Sequence, residues 1–357
     1  MKIGLLIFSK QWSGAEKFVY YLAKNLLNDH FEVYVFTNSE VAKYYSGLGC
    51  QVYDIGSIFS NNGGIKPYSL LNATVKIYQY FKKLDLDILH LNLEIGIVVG
   101  TLINKFLNIP SIITLHGTEF ITAFEKNNSF YKKIISRLLN YSFAKTDILI
   151  SPNESRADKI NKYPVRVIPN GFDISIFHKN KVRESNKSVL FVGQFIEMKG
   201  IKELINVAKQ LPQYEFWFAG QGTLSNIIKG KNVKNLGFKS QKELVKLYNK
   251  ATICAFPSYH ENFPTVGLEA MACGKAVITT PLGFSEYIEN NKDGLIVPSK
   301  NVNALKQAIY KLISDKKLRE KIGKKAMIKV KKFEWKNIIP LYERVYKEVL
   351  KKHENKH

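Results

Sequence analysis

Apolar runs of strand length alternate with segments of helical spacing along most of this 357-residue chain. In the first half the runs are KIGLLIF, FEVYVFT, DILHLNL, SIITLHG, TDILIS and VRVIPN. The second half repeats the alternation with SVLFVG, YEFWFAG, VKNLG, ATICAFPS, KAVITT and DGLIV. Strands that alternate with helices form a parallel sheet with helices on its faces. The sequence therefore predicts an α/β protein with two doubly wound, Rossmann-like domains.

The composition agrees with two folded domains. Hydrophobic residues make up 45% of the chain, which at this length supplies two cores of ordinary domain size. No run approaches the roughly 18 apolar residues of a membrane span, and the apolar start is too short for a signal peptide, so we expect it to be the first strand. The three cysteines form no even disulfide framework, which favours reduced thiols and a cytoplasmic location.

The segment YHENFPTVGLEAMACGKAVITT says most about function, because it holds Glu261 and Glu269 where a strand should meet a helix. The apolar run ATICAFPS predicts a buried strand, and Pro264 with the apolar residues after it predicts a helix. Glu261 then lies beyond the carboxyl end of the strand, where open α/β sheets bind ligands, and Glu269 lies one turn into the helix. The helix amides can hold phosphate, and the carboxylates can accept sugar hydroxyls. A capping glutamate and a solvated one are the alternative.

Together with six other segments in the same order, this pair resembles the signature of retaining GT-B glycosyltransferases, in particular glycosyltransferase family 4. The other segments are SGAEKF, LHGTEF, IPNGFD, FVGQFIEMKG, FAGQG, and PLGFSEYI followed by DGLIV. The resemblance covers nearly the whole chain. It implies two Rossmann-like domains facing each other across a cleft: an acceptor-binding domain at 1–173 and a nucleotide-sugar-binding domain at 174–335. The last helix, 336–357, is expected to pack back on the first domain.

The resemblance also implies roles for single residues. It places His116 against the transferred sugar and the acceptor, Glu261 at the transferred sugar, and Lys199 as a point charge on the donor diphosphate. The residues expected to bind the nucleotide-sugar are Gly14, Gln194, Lys199, Phe238, Thr265, Val266 and Glu269. Gln194 stands where the family usually has arginine, so stabilisation of the leaving group should rest more heavily on Lys199 and the helix amides.

We expect no metal and no cofactor beyond the sugar donor. Asp85, Leu86 and Asp87 match the metal-binding motif of the other large glycosyltransferase fold, but they close a basic helix and start a strand, where a structural role is expected. No His/Cys cluster has metal-ligand spacing. The first strand is not followed by a three-glycine dinucleotide fingerprint, which argues against an NAD enzyme.

The net charge of +23 favours an anionic partner. The chain has no nucleic-acid motif, so two alternatives are left: general lysine enrichment, or a surface that contacts an anionic membrane. Two stretches are candidates for such a surface. Residues 314–332 have an apolar residue at every fourth position and a polar face of Lys and Arg, and residues 120–137 mix aromatic residues with cations. An ordinary core-facing helix would explain the first stretch equally well.

The sequence therefore predicts a retaining, metal-independent hexosyltransferase at the cytoplasmic face of the membrane. It would move a hexose or N-acetylhexosamine from a nucleoside diphosphate, with UDP favoured, to a saccharide or lipid-linked acceptor in cell-surface glycan biosynthesis. Retention without a covalent nucleophile implies that the leaving phosphate takes the acceptor proton on the same face. The alternatives are a nucleotide-sugar epimerase or sugar phosphorylase of the same fold, or a non-catalytic nucleotide-sugar-binding protein, which Gln194 makes conceivable.

Overall fold

The computed structural model describes residues 1–10, 12, 14–60, 64–117, 130–185 and 187–355, and for residues 130–132 only their place in a helix. The chain divides into two compact units. Unit 1 comprises Met1–Gly171 with Trp335–His357, and unit 2 comprises Phe172–Glu334. The first division falls inside the IPNGFD segment, next to the boundary predicted at residue 173. The chain's last helix belongs to unit 1.

The sheet of unit 1 has seven parallel strands among the described residues, in the order β3-β2-β1-β4-β5-β6-β7. The strands are β1 (Lys2–Ile7), β2 (Glu32–Thr37), β3 (Gln51–Asp54), β4 (Ile88–Asn92), β5 (Ser111–Thr114), β6 (Ile148–Ser151) and β7 (Val165–Val167). From β1 the chain builds outward to β3 and then returns to the other side of β1, so the order reverses between β1 and β4. β3 was not predicted, because it is a short edge strand with exposed ends and no apolar run.

The helices of the first part of unit 1 follow the apolar spacing of the sequence. They are α1 (Gly14–Asn28), α2 (Ser39–Ala42), α3 (Pro67–Leu84), α4 (Glu94–Leu107), α5 (Phe130–Lys145) and α6 (Glu154–Lys159). In α3, Pro67 occupies the first turn, where its missing N–H costs nothing. Ala73, Ile77 and Phe81 recur every fourth residue and are buried, so this face packs against the sheet.

Unit 2 repeats the plan: its described part has six parallel strands, in the order β10-β9-β8-β11-β12-β13. The strands are β8 (Ser188–Val192), β9 (Glu215–Ala219), β10 (Val233–Gly237), β11 (Ile253–Phe256), β12 (Val277–Thr279) and β13 (Leu295–Ile296). Their order reverses between β8 and β11, which pair directly. The predicted class, an α/β protein with two doubly wound, Rossmann-like domains, is confirmed by these two parallel sheets and their flanking helices.

The remaining helices are α7 (Ile201–Gln210), α8 (Gln241–Lys250), α9 (Thr265–Ala272), α10 (Val302–Ser314), α11 (Lys316–Val330) and α12 (Trp335–Glu354). α8 begins with a capping box in which Ser240 and Glu243 satisfy each other's backbone amides. α12 returns to unit 1 and packs on α1, so these two helices cover one face of its sheet. Helices α3, α4 and α5 share the apolar core on the other face.

The basic stretch 314–332 forms a core-facing helix, as one of the two alternatives predicted. Ile322, Ala326 and Val330 of α11 are buried in unit 2, and Leu318 packs partly against the same interior. The exposed side of α11 is mostly cationic and includes one large apolar side chain, Ile328. Of the second stretch, residues 120–129 and the side chains of residues 130–132 lie outside the described residues, and the rest belongs to α5.

Within the part of the chain that the structure describes, no helix is both long and apolar enough to cross a membrane. The three cysteines are free thiols. Cys254 and Cys273 are buried in the core of unit 2, where burial raises the pKa of both thiols, that of Cys273 to about 12.

Candidate functional site

The predicted donor-site residues of unit 2 gather where its strand order reverses. The chain leaves β8 toward one edge of the sheet and β11 toward the other, so the loops after these strands diverge and leave room for a ligand. Lys199 ends a short 3-10 turn, Glu197–Lys199, after β8. Glu261 lies in the loop after β11. Sheet topology therefore brings together two residues that are 62 positions apart.

Lys199 and Glu261 form an ion pair, with Nζ 2.5 Å from Oε1. The side chains are 24% and 12% exposed, and in such a setting an unpaired charge would be costly. The buried Ser258 hydroxyl donates a second hydrogen bond, of 2.9 Å, to the same Glu261 oxygen, and Thr280 donates to the Ser258 carbonyl. A Cβ on Gly283 would lie 2.7 Å from the Cβ of Glu261, so the PLGF loop packs directly against the carboxylate residue.

The turn that carries Lys199 is fixed to the neighbouring loop by close backbone packing. Gly200 follows with φ of +67°, and a Cβ there would approach the carbonyl oxygen of Pro257 to 2.0 Å. This position therefore requires glycine on both counts. The Tyr259 amide donates to the Met198 carbonyl at 2.8 Å, which joins the two loops a second time. Lys199 is thus presented by a rigid turn.

The N-terminus of α9 opens beside these loops. Pro264 is the residue just before the helix, so the first turn presents the amides of Thr265, Val266 and Gly267, which have no acceptor inside the helix. The Tyr287 hydroxyl donates to the Pro264 carbonyl at 2.5 Å and fixes the start of the helix. Amides and the positive end of the helix dipole form a site for an anion.

Glu269 lies on α9 and is held by Tyr248 of α8, whose hydroxyl donates to Oε2 at 2.8 Å. Burial, followed by the nearby Glu269 charge, raises the pKa of Tyr248 well above its usual value of 10.0, so the phenol stays a neutral donor. The sequence predicted Glu269 but missed Tyr248 and Ser258. Tyr248 could have been found only as a hydroxyl on the apolar face of amphipathic α8, a pattern that does not identify its partner.

The loops after β8 and β9 pack against each other, backbone to backbone. A Cβ on Gly220 would reach the Gly193 carbonyl at 1.9 Å, and Phe195 donates to the Gln221 carbonyl at 2.8 Å. The glycines of FAGQG therefore form a tight turn against the loop after β8. Gln194, in the place of the family arginine, is exposed.

Phe238 follows β10 directly. The Gly220 amide donates to the carbonyl of the preceding Gly237 at 2.9 Å, which places Phe238 beside the FAGQG turn. Its side chain is 70% exposed. An exposed phenylalanine ring at this edge of the sheet can stack against a planar group of a ligand.

Gly14 and His116 belong to unit 1. Gly14 is the first residue of α1, and a Cβ there would meet no atom within 4 Å, so the space beside it is open. His116 follows β5, and its Nε2 lies 2.9 Å from Asn92 Oδ1. His116 is half-buried, and burial lowers the pKa of its ring to about 3. The Phe18 ring lies 5.2 Å from the imidazole ring. The rest of the LHGTEF segment, Thr118, Glu119 and Phe120, lies outside the described residues.

His90, for which no chemical role is predicted, is part of the same polar network, because the Asn92 side chain donates to its carbonyl at 3.2 Å. It is fully buried, with Nδ1 3.0 Å from the Tyr346 hydroxyl and Nε2 2.7 Å from the Thr114 hydroxyl. Burial, followed by the neighbouring His116, lowers its pKa to about 3. Both ring nitrogens are engaged by protein hydroxyls, so His90 is a structural residue that joins α12 to the sheet.

The Asp85–Asp87 motif has the structural role expected for it. Asp85 ends α3 in the left-handed conformation with φ of +51°. Asp87 Oδ2 accepts from the Lys2 amide at 2.7 Å and so aligns the start of β1. Over the described ranges, no group of three or more His, Cys, Asp or Glu side chains could hold a metal ion.

Comparison with known families matches both halves of the chain. Residues 12–176 match the model for Glycosyltransferase Family 4, and residues 173–328 match the model for Glycosyl transferases group 1. An uncharacterised glycosyltransferase of Methanocaldococcus jannaschii is 31% identical over 264 residues, covering 70% of this chain and 72% of the relative. The N,N'-diacetylbacillosaminyl-diphospho-undecaprenol alpha-1,3-N-acetylgalactosaminyltransferase of Campylobacter jejuni is 27% identical over 337 residues, with 85% and 87% covered.

Solved structures share the fold. Sucrose-phosphate synthase from Thermosynechococcus elongatus superposes with a TM-score of 0.85 at 20% identity and covers 98% of both chains. HepE from Anabaena, solved in complex with UDP and glucose, superposes with a TM-score of 0.81 at 22% identity, with 98% of this chain and 100% of that chain covered. At these identities the likeness shows the architecture and leaves the substrate to be argued from the site.

Proposed function

This chain belongs to the glycosyltransferases, with the two-domain GT-B fold of the family 4 type, and we propose that it moves a hexose or N-acetylhexosamine from UDP to a saccharide or lipid-linked acceptor with retained anomeric configuration. The observation that carries the proposal is the Lys199–Glu261 pair at the strand-order reversal of unit 2, beside the α9 amides and Glu269. A cation, a helix N-terminus and two carboxylates match the chemistry of a diphosphate that carries a sugar at each end.

The donor would bind along this row of groups. The diphosphate takes the α9 amides and Lys199 Nζ, and the ribose hydroxyls take Glu269, which Tyr248 holds in place. Phe238 lies by the base. Because Lys199 Nζ lies 2.5 Å from Glu261 Oε1, a diphosphate must compete with this carboxylate for the lysine. Donor binding then turns Glu261 toward the transferred sugar.

In the reaction, the acceptor hydroxyl oxygen attacks the anomeric carbon while the bond from that carbon to the diphosphate oxygen breaks. The acceptor proton passes to the departing phosphate oxygen on the same face, so the configuration is retained and UDP leaves. Glu261 stabilises the positive charge that develops on the sugar, and Lys199 stabilises the negative charge on the diphosphate. Because its pKa is lowered to about 3, His116 is neutral at higher pH. It can therefore form hydrogen bonds with hydroxyls but offers no positive charge to phosphate.

The printed name of the Campylobacter relative specifies a diphospho-undecaprenol acceptor. This supports a lipid-linked acceptor for the present enzyme. With such an acceptor, the enzyme would act in cell-surface glycan synthesis at the cytoplasmic face of an anionic membrane. The charge of +23 is of the sign that such a surface attracts. We propose no metal cofactor, because Lys199 and the α9 amides supply the positive charge at the diphosphate.

A panel of nucleoside diphosphate sugars tests the proposal. Ligands that bind only the folded state raise the melting temperature, so UDP and one or a few UDP-sugars should stabilise the enzyme, and the stabilising sugar should be transferred or slowly hydrolysed to UDP. Anomeric NMR of the product should show the donor's configuration. Stabilisation by a nucleotide other than UDP would contradict the choice of UDP, and an inverted product would contradict retention.

The same panel separates the alternatives. An epimerase would convert the UDP-sugar without any acceptor, and a phosphorylase would need inorganic phosphate for turnover. A non-catalytic binding protein would be stabilised by the donor and release no UDP. Exposed Gln194 is the one feature that favours this last alternative, whereas the intact Lys199–Glu261 pair speaks against it.

A further inference from the structure

One face of unit 1 exposes apolar side chains that its fold does not use. Helix α3 turns Ala73, Ile77 and Phe81 inward, while Tyr68, Leu71 and Val75, spaced by three and four residues, point to the opposite side and are 85%, 61% and 50% exposed. Helix α4 packs beside α3. It exposes Leu102 and Phe106, also four residues apart, by 45% and 76%. Two neighbouring helices thus carry parallel apolar stripes on their outer sides.

The charges around these stripes are almost all positive. The sequences of α3 and α5 contain no Asp or Glu, and α4 contains only Glu94, in its first turn. The cations in the sequences of the three helices are Lys76, Lys82 and Lys83 in α3, Lys105 in α4, and Lys132, Lys133, Arg137 and Lys145 in α5. Among the described residues, no carboxylate forms an ion pair with any lysine of α3 or α4. Exposed Asp85 comes only after the end of α3.

The opposite face of the same sheet differs. Helix α12 carries Glu343 and Glu348, which pair with Lys347 and Lys352 at 2.7 and 3.0 Å, and Arg166 also pairs with Glu348. Helices α1 and α12 together carry seven Lys and Arg against four Glu, whereas α3, α4 and α5 carry eight against one. General lysine enrichment would raise the positive charge of both faces alike, so this asymmetry favours a specific role for the α3–α4 side.

We propose that the outer side of α3 and α4, here called the docking face, binds the surface of an anionic lipid bilayer. Its aromatic and aliphatic side chains enter the interfacial region while the lysines contact the headgroups. This deepens the proposed function and rests on it for the acceptor, since a lipid-linked acceptor lies in a bilayer. Helix α11, the other candidate, buries its apolar stripe in unit 2 and exposes one large apolar side chain, Ile328, among its cations.

Co-sedimentation with vesicles tests the docking face. The wild-type enzyme should bind vesicles of phosphatidylcholine mixed with phosphatidylglycerol, and binding should fall with added salt. Tyr68→Ser with Phe106→Ser should lower partitioning by at least about tenfold, because two exposed rings no longer enter the interface. The matched control is Tyr310→Ser with Ile328→Ser, which removes side chains of unit 2 that are 56% and 70% exposed. It should bind as the wild type does.

A second pair of variants tests the charges. Lys83→Gln with Lys105→Gln should weaken binding by about fivefold for each lysine. Lys321→Gln with Lys324→Gln, on the exposed side of α11, is the control and should change binding less. Melting curves with and without UDP establish that every variant is folded and still binds nucleotide.

Several results would overturn the docking face. They are equal binding to phosphatidylcholine alone, wild-type binding by the Tyr68/Phe106 pair, and an equal loss in the unit 2 control. Salt-dependent binding to an acidic polypeptide such as polyglutamate, without vesicle binding, would replace the bilayer by a protein partner. Transfer to a soluble acceptor by an enzyme that ignores vesicles would refute docking and leave the proposed function intact. Vesicle binding by an enzyme that transfers no sugar would support docking and refute the proposed function.

Discussion

The two units share one topology, but the ends of their sheets carry opposite chemistry. In unit 2 the reversal of strand order holds an ion pair, Lys199–Glu261, beside the free amides of a helix. In unit 1 the side chains that meet at the ends of β4 and β5 are neutral: His116 contacts Asn92, and His90 lies between two hydroxyls. Topology therefore decides where the loops open, and the charge content of each loop decides what they can bind. Unit 2 suits a diphosphate, and unit 1 suits uncharged hydroxyls.

Removing the cation of unit 2 should have the largest effect. Lys199→Ala should lose about 2 to 4 kcal/mol of transition-state stabilisation, measured as kcat/KM, because exposed Gln194 offers no second positive charge. Lys202→Ala is the control: this lysine lies one turn away in a surface pair with Glu197 at 2.9 Å, and its loss should change the rate little. Normal turnover in Lys199→Ala would mean that the diphosphate charge is met elsewhere.

Acid should weaken the neutral network of unit 1. The unfolded chain binds a proton at each histidine with a pKa of 6.5, whereas folded His90 does so only at about 3. Unfolding therefore takes up protons between these values, so the stability is complete above pH 6.5 and falls as the pH drops toward 3. Fully buried His90 alone should lower the free energy of unfolding by roughly 1.4 kcal/mol per pH unit in that window.

Urea unfolding at several pH values measures this slope. His178, which is exposed, serves as the control, since His178→Asn should leave the slope unchanged. The rate of transfer should likewise show no titration near pH 6.5 from His116, whose pKa is lowered to about 3. A kinetic limb near pH 6.5 that disappears in His116→Asn would contradict the neutral character assigned to unit 1.

A smaller effect is expected where Tyr248 holds Glu269. Tyr248→Phe removes one hydrogen bond to a carboxylate, so donor KM should rise by about tenfold, equivalent to roughly 1.4 kcal/mol, with kcat nearly unchanged. Tyr214→Phe, at a buried tyrosine in the other core cluster of unit 2, should leave donor KM at its wild-type value. A fall in kcat without a change in KM would give Tyr248 a role beyond positioning.

Excess EDTA should have the smallest effect of all. If Lys199 and the α9 amides neutralise the diphosphate, the rate of transfer should stay within experimental error of the untreated rate. Loss of activity that Mn²⁺ restores would show that unit 2 needs a metal ion. Lys199 and the α9 amides would then be insufficient to neutralise the diphosphate.

The sequence predicted the sheets well because strands buried on both faces read as continuous apolar runs, and it missed edge strand β3, which has none. The resemblance supplied Lys199, Glu261 and Glu269 one by one, but their pairing depends on which strands are neighbours, and that is a property of the fold. Tyr248 and Ser258 were missed for the same reason. The pattern of α11 was ambiguous because an apolar stripe looks alike whether it faces a core or a bilayer.

The acid-free sequences of α3 and α5 were visible from the start. Their meaning depended on knowing that α3, α4 and α5 cover one face of the sheet, whereas the acidic residues of α12 lie on the other. Residue counts along the chain do not contain that information.

The most direct test of the charged site in unit 2 is calorimetric titration of UDP into Glu261→Gln and Glu269→Gln, side by side with the wild type. Glu269 is assigned to the ribose, so Glu269→Gln should bind UDP more weakly by about 1.5 to 3 kcal/mol. Glu261 is assigned to the sugar that UDP lacks, and its removal frees Lys199 from the 2.5 Å ion pair. Glu261→Gln should therefore bind UDP at least as tightly as the wild type while its kcat falls. Loss of UDP binding in Glu261→Gln with normal binding in Glu269→Gln would contradict the account.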